Sequence, residues 1–390
     1  MADGDTSYSD ETPAIAARIE KGVATIDACE WDAINTACGG NPFTSHAFLS
    51  ALEDSGSVGP GTGWQAAPIT IRDDTGQLVG ALPSYLKGHS QGEYVFDHSW
   101  AHAYENAGGR YYPKLQISAP FTPATGPRIL ALEEKWITPL IIAAQQLTEQ
   151  NALSSAHATF LTEQDRRSFV ELGWLLRSDT QFHWANQGFA DFDAFLATLS
   201  SRKRKAIRKE RRTAQSNVEI VQLSGDDLTE AHWDAFWIFY QDTGARKYGM
   251  PYLTREAFSL FGERMADQIM LVMAWLDGEP VAAALNFAGP DTLYGRYWGC
   301  TRDISCLHFE LCYYQAIDIA IDRGLKYVEA GAQGGHKLAR GYAPVTTWSA
   351  HYIPDSGFRR AIADFLERER EAVAQDQDYL AAMTPFKKAD

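Results

Sequence analysis

The order of apolar and polar positions divides the chain into two stretches that run through similar elements. Helical spacing covers about residues 14–56 in three pieces, Ala14–Ile19, Asp27–Ala37 and Ser45–Leu52, and a glycine-rich loop follows at Gly56–Gly63. Alternation then predicts a hairpin of Ala66–Arg72 and Gln77–Leu86 about an Asp73-Asp-Thr-Gly turn. Glu93–Asp97 reads as a short strand, followed by aromatic-rich segments at Ser99–Tyr104 and Tyr111–Leu115. A helix is expected over Glu133–Gln150, then a strand at Ala156–Leu161 and a short helix from Gln164. Strands at Gly173–Arg177 and Thr180–Ala185 close the first stretch.

The second stretch starts helical at Asp191–Ala214 and continues with a strand at Val218–Leu223. Helices follow at Leu228–Asp242 and Thr254–Ala266, then a hairpin of Ile269–Trp275 and Pro280–Phe287 about Asp277-Gly, then a strand at Thr292–Gly299. Phe309, Cys312, Tyr313, Ala316, Ile317, Ala320 and Ile321 fit one face of a helix over 307–323, which Gly324 ends. A strand (Leu325–Glu329), a polar loop, a strand (Thr347–Ile353) and a helix from Ser356 complete the chain. Each stretch joins helices, an antiparallel hairpin and a crossover helix, so the expected fold is α/β, with mixed, mostly antiparallel sheets flanked by helices. The expected division is a disordered 1–13, a first module at 14–188 and a second at 189–390.

Length and composition allow two domains or one large one: 390 residues, 45% hydrophobic and 12% aromatic, supply a sizeable core. The formal charge of -15 repels nucleic acid in general, so a polyanion would need a local basic patch. The acidic N-terminus does not read as a signal peptide, and no apolar run approaches the roughly 20 residues of a membrane span. Five cysteines without a CxxC fit a reduced, cytoplasmic setting and no structural zinc. One local patch does exist. Eight of the eleven residues from 202 to 212 are Lys or Arg. Arg202, Lys203, Lys205, Arg208, Lys209 and Arg212 are candidate contacts to phosphates of tRNA or of a nucleotide-linked precursor. Like charges at i, i+4 oppose such a helix unless an anion lies across them. The competing reading is a solvated face neutralised by the protein's own acids.

The densest chemistry lies in Tyr327–Pro344, where an acid, an amide, an imidazole and two cations alternate with four glycines. Glu329 ends a strand, where burial would raise its pKa into the range of a general base. His336 is an alternative proton carrier. Lys337 and Arg340 suit phosphate or carboxylate, Gln333 adds an amide, and Gly334 and Gly335 allow close backbone approach with N–H groups for an oxyanion. Arg296 and Trp298 alternate along a strand, so they share a face able to line a pocket. In the first stretch Tyr111 and Lys114, with Glu93, Asp97 and Tyr112, gather among aromatics as a possible cleft or as edge structure.

Several blocks together carry a resemblance. Gly92–Asp97, Tyr111–Leu115, Pro120-Phe-Thr-Pro, Arg202–Arg211, His308–Tyr314 and Gly331–Tyr342 resemble the bacterial FemAB-like proteins of the GNAT superfamily, over about residues 25–370. The pattern departs at Ala330, where proline is expected, and at Gly335, where an acid is expected. The resemblance implies two tandem GNAT-like modules, and acyl or aminoacyl transfer to an amine without a metal or a tightly bound cofactor. It also implies a lysine in a Gly-rich loop of the second module, a setting that Lys337 matches. Three functions follow as expectations: an aminoacyl-tRNA-dependent transferase acting on a cell-wall precursor, an acyl-CoA-dependent N-acyltransferase, or a non-catalytic binder of such precursors or RNA. The GNAT pyrophosphate loop is missing before residue 309, which counts against CoA. In the first reading Glu329 or His336 assists deprotonation and Lys337 stabilises the oxyanion. Acceptor and oligomeric state are left open.

Overall fold

The computed structural model of the chain describes residues 16–246, 251–331, 335–383 and 385–387. The expected disorder at 1–13 falls outside them. The strands are β1 (Ala17–Ile19), β2 (Trp64–Ala66), β3 (Ile69–Arg72), β4 (Leu78–Leu82), β5 (Ser84–Lys87), β6 (Lys114–Ile117), β7 (Leu130–Ala131), β8 (Ala156–Thr159), β9 (Leu175–Ala185), β10 (Glu219–Leu223), β11 (Ile269–Leu276), β12 (Glu279–Ala288), β13 (Thr292–Cys300), β14 (Tyr327–Glu329) and β15 (Ala343–Tyr352). Eleven of them form one sheet in the order β10-β11-β12-β13-β14-β9-β15-β8-β6-β5-β2, and β1-β3-β4-β7 form a second. All pairs are antiparallel except β13 with β14 and β6 with β8, the two sites of helical crossover.

The two halves exchange strands. β9, before residue 188, pairs with β14 through His183↔Glu329, and β15, near the C-terminus, pairs with β8 through Ser349↔Thr159. β9 and β15 lie side by side over nine register pairs, from Ala343↔His183 to His351↔Leu175. The sheet therefore runs unbroken through the chain's midpoint.

Four expectations change. The strands expected at Gly173–Arg177 and Thr180–Ala185 are the single β9, held continuous by its ladder with β15. Ala17–Ile19 is not helical: it pairs with β3, a tertiary ladder overriding a short local pattern. Glu93–Asp97 is not a strand, because its acids turn inward to buried cations, and Ser99–Tyr104 lies in the helix His98–Asn106. The helical run at 191–214 is two helices, Phe192–Thr198 and Ser201–Gln215. They break at Leu199-Ser200, where the backbone meets Pro385 and Phe386.

One core lies between the halves. Phe43 and Phe48 of the first half meet Phe261 and Phe287 of the second, with the Phe48 and Phe261 rings stacked at 5.2 Å. On the other face of β11–β13 the helices Phe192–Thr198, Ser201–Gln215 and 307–322 cover a second core. β13 passes directly under the helix Glu230–Arg246 at Gly299. A Cβ there would stand 2.1 Å from the Phe239 carbonyl oxygen. Gly299→Ala is expected to lower stability by about 1–3 kcal/mol through forced helix displacement. Denaturant unfolding checks this, and an unchanged midpoint would show that the helix yields freely.

Candidate active site

The crossover helix that leads to the polar loop is not uniform. It is α-helical at Leu307–Phe309, widens to a π-turn at Glu310–Tyr314, and is α-helical again at Gln315–Asp322. Such turns insert a residue and re-aim side chains. Here the fully buried Glu310 accepts from the Arg211 guanidinium at 2.9 Å and from Gln215 and Gln315 at 2.8 Å each. Two consecutive tyrosines then both reach the loop. The Tyr313 hydroxyl lies 2.8 Å from His336 Nε2, and Tyr314 donates to Glu210, which also accepts from Arg340 Nη2 at 2.9 Å.

The loop closes as a 3-10 helix, Gly335–Arg340. Lys337 is buried, and its Nζ donates to the Gly331 carbonyl at 2.7 Å. Burial pulls its amine down to about 8. Arg340 donates to the His336 carbonyl at 2.8 Å and stacks on Phe309 at 3.4 Å. His336 is also held below its ordinary value, by burial and then by the Arg340 and Lys337 cations, so it is uncharged at neutral pH. Gly335 begins the 3-10 helix, with open space where a Cβ would stand, whereas Gln333 and Gly334 lie outside the described residues.

Glu329 ends β14 and is buried. Burial raises its carboxyl to about 8, against the Thr125 backbone N–H and the Arg296 and Arg128 charges. One of its oxygens, Oε2, has no hydrogen-bond partner among the described residues. His183, its register partner on β9, stands 3.9 Å from the other oxygen. Burial and the Lys337 charge bring His183 to about 4, so the two form no ion pair at pH 7. The wall opposite is the first half's Pro120–Arg128 segment. Arg296 donates to the Phe121 carbonyl at 2.5 Å, and Asn41 contacts both the Thr125 carbonyl and the Tyr294 hydroxyl.

Arg296 and Trp298 do not share a face. A bulge falls where Leu285↔Tyr297 is followed by Asn286↔Gly295, leaving Arg296 unpaired and switching the alternation. Arg296 sits with Phe43 and Tyr297 on the side of the core between the halves, while Trp298 packs on His308 across the sheet. Tyr111 and Lys114 belong to a separate, fully buried cluster. Lys114 donates to Ser90 at 2.8 Å, to Glu93 at 2.7 Å and to Asp97, and Tyr111 donates to Asp97 at 2.6 Å.

The basic helix Ser201–Gln215 lies against the 3-10 helix through Glu210. Arg211 is held by Glu310 and Asp318, and Arg208 by Asp193 at 2.8 Å, so the protein's own acids neutralise these two. Arg202, Lys205, Lys209 and Arg212 are exposed and Lys203 half-buried, with no ion pair among the described residues. Arg208, Arg211 and Arg212 also line, with Phe192, Asp318 and Asp322, a cavity of about 730 Å³.

A family model described as peptidoglycan biosynthesis/recognition matches residues 22–388. The chain belongs to this FemAB-like family. Among solved structures FemX is similar at 11% identity, covering 87% of this chain and 98% of that one, with a TM-score of 0.54. L-PGS from Bacillus licheniformis is similar at 10% identity, 85% and 93% coverage and 0.53. A conserved protein of unknown function from Bacteroides thetaiotaomicron gives 11%, 87%, 99% and 0.51. At these identities the likeness is one of fold: the large mixed sheet is the tandem GNAT-like architecture expected from the FemAB-like blocks. No curated protein matches the chain. No helix among the described residues is long and apolar enough to cross a membrane.

The residues missed in the sequence, His183, Thr125, Arg128 and Glu210, share one cause. Three come from the first half and reach Glu329 only because β9 and the 120–128 segment pack into the second half's sheet. Glu210 was visible as the single acid in the basic run, but its partner was not.

Proposed function

We propose that this FemAB-like chain is a cytoplasmic N-acyltransferase that takes an aminoacyl group from tRNA and gives it to an amine, as in the modification of a cell-wall precursor. The observation that carries this reading is a junction. Through Glu210 and Arg340, the turn that bears the buried Lys337 is fastened to a helix face of unneutralised cations. The Glu329 carboxylate takes a proton from the acceptor nitrogen. That nitrogen forms its bond to the ester carbonyl carbon, Lys337 and the loop amides hold the oxyanion, and the ester C–O bond breaks as the ribose oxygen leaves and is protonated. The exposed cations of the basic helix hold the donor's phosphates.

The chemistry sets a pH window. Glu329 acts only when ionised, above about 8, and Lys337 helps only when protonated, below about 8. Transfer is therefore expected to follow a narrow bell centred near pH 8, and the small residual transfer of Glu329→Gln to lack the acid limb. A pH–rate profile checks this, and a flat profile between pH 6 and 9 would remove both residues from the chemistry.

Donor choice is tested by salt. Five phosphate contacts give a slope of roughly −4 in log K against log salt, and Lys205→Glu with Lys209→Glu is expected to flatten it by about 2. Absence of tRNA binding at low salt, with thermal stabilisation by CoA, would favour acyl-CoA as donor. Neither response, with full cellular function in Glu329→Gln and Lys337→Met, would leave a non-catalytic binder.

A further inference from the structure

The basic run contains one acid, Glu210, and it does not neutralise its neighbours. It turns inward, accepts from Tyr314 and binds Arg340 at 2.9 Å. Arg340 in turn holds the His336 carbonyl, one residue before Lys337, and stacks on Phe309. His336 is held at its ring by Tyr313. The 3-10 helix that carries Lys337 is thus gripped by two tyrosines of one π-turn, and one of the two grips passes through the basic helix.

We propose that Glu210 is a positioning residue that makes the placement of Lys337 depend on whether the basic helix is occupied by a polyanion. This rests on the reading of that helix as the donor's phosphate site. Lys205 and Lys209, exposed and four residues apart, repel each other, with Arg202, Lys203 and Arg212 adding unpaired charge to the same helix. An anion laid across them relieves the repulsion and firms the helix from Ser201 to Gln215. Glu210, four residues before Ala214 and three after Ile207, lies beside the two buried contacts of that helix. Firming the helix fixes the carboxylate, which fixes Arg340 and so the turn bearing Lys337. The coupling is reciprocal: a well-placed Arg340 favours the anion-bound helix by the same factor.

The test separates binding from placement, with short-chain inorganic polyphosphate as the probe. Glu210→Gln removes a negative charge beside the cations, which favours binding, and removes the reciprocal coupling, which opposes it, so polyphosphate is expected to bind it within about threefold of wild type. Lys337 placement is read by its rate of reductive methylation, followed by mass spectrometry on the full-length protein. In wild type polyphosphate is expected to change that rate at least threefold, and in Glu210→Gln to leave it unchanged. Arg340→Lys keeps the charge but loses the forked contact, and is expected to lose the response likewise. Glu210→Asp is expected to restore part of it. An equal response in wild type and Glu210→Gln overturns the proposal, as does no response in a wild type that binds polyphosphate. If wild type does not bind polyphosphate, the phosphate-site reading itself has failed and the inference falls with it. Thermal melts of each variant establish that it is folded before labelling.

Discussion

Glu329→Gln is expected to be more stable than wild type at pH 8, by roughly 3–5 kcal/mol, while losing transfer. The folded protein holds this carboxyl's proton up to about pH 8, whereas the unfolded chain releases it near 4.5. The group's contribution to stability is full below about 4.5 and is lost as pH rises to about 8. Glutamine does not titrate, keeps an oxygen for the Thr125 N–H, and offers an amide that avoids burying a charge. The difference between variant and wild type should therefore be small at pH 5 and grow by about 1.4 kcal/mol per pH unit toward 8. Urea titrations at three pH values measure it. A difference that stays constant with pH would mean that Glu329 is not held protonated. A residue whose ionisation weakens the fold yet stays buried at a strand end is the pattern of a site maintained for chemistry rather than for stability.

Lys114→Ala is expected to cost about 3–5 kcal/mol, because it strands two buried carboxylates. Burial already lifts Glu93 to about 7, against the opposing pull of Lys114. Burial would lift Asp97 too, but Lys114 and His157 hold it well below the usual carboxylate range. Lys87, pulled to about 7 by burial, stands 3.8 Å from Glu93 and over the Trp64 ring, too far to replace Lys114. The loss should be greatest above pH 7, where both acids would have to be charged, and shrink toward pH 5. Adding Asp97→Asn should recover part of it. Denaturant unfolding of the two variants measures both effects, and a loss below about 1 kcal/mol for Lys114→Ala would mean that water or rearrangement compensates.

Much of the second half could be read from its residues. The hairpin about Asp277-Gly278, the amphipathic stripe ending at Gly324, and the polar loop all announce themselves through local rules of spacing and turn chemistry. The placements of Glu329 at a strand end and Lys337 after a glycine-rich loop were legible for the same reason. Features set by distant parts of the chain were not. No local pattern marks a strand such as β9 that leaves its own half. The bulge that separates Arg296 from Trp298 sits in a strand whose alternation looks regular. The π-turn at Glu310–Tyr314 keeps the same apolar stripe as an α-helix, so periodicity passes over it. Tyr111 and Lys114 drew notice as polar residues among aromatics, a composition shared by an open cleft and by the sealed cluster they form.

The exchange of β9 and β15 bears on how the chain is made. His157 on β8 leaves the ribosome 194 residues ahead of His351, its partner on β15. Throughout that interval β8 has an open edge, and β9, already synthesised, waits for both β14 and β15. The first half cannot finish its sheet on its own, so translation delivers an incomplete, sticky intermediate rather than a folded domain. Slow elongation or chaperone shelter across residues 186–342 would suit such a nascent chain, and two separately expressed halves would meet as complementary fragments, each supplying the strand the other lacks.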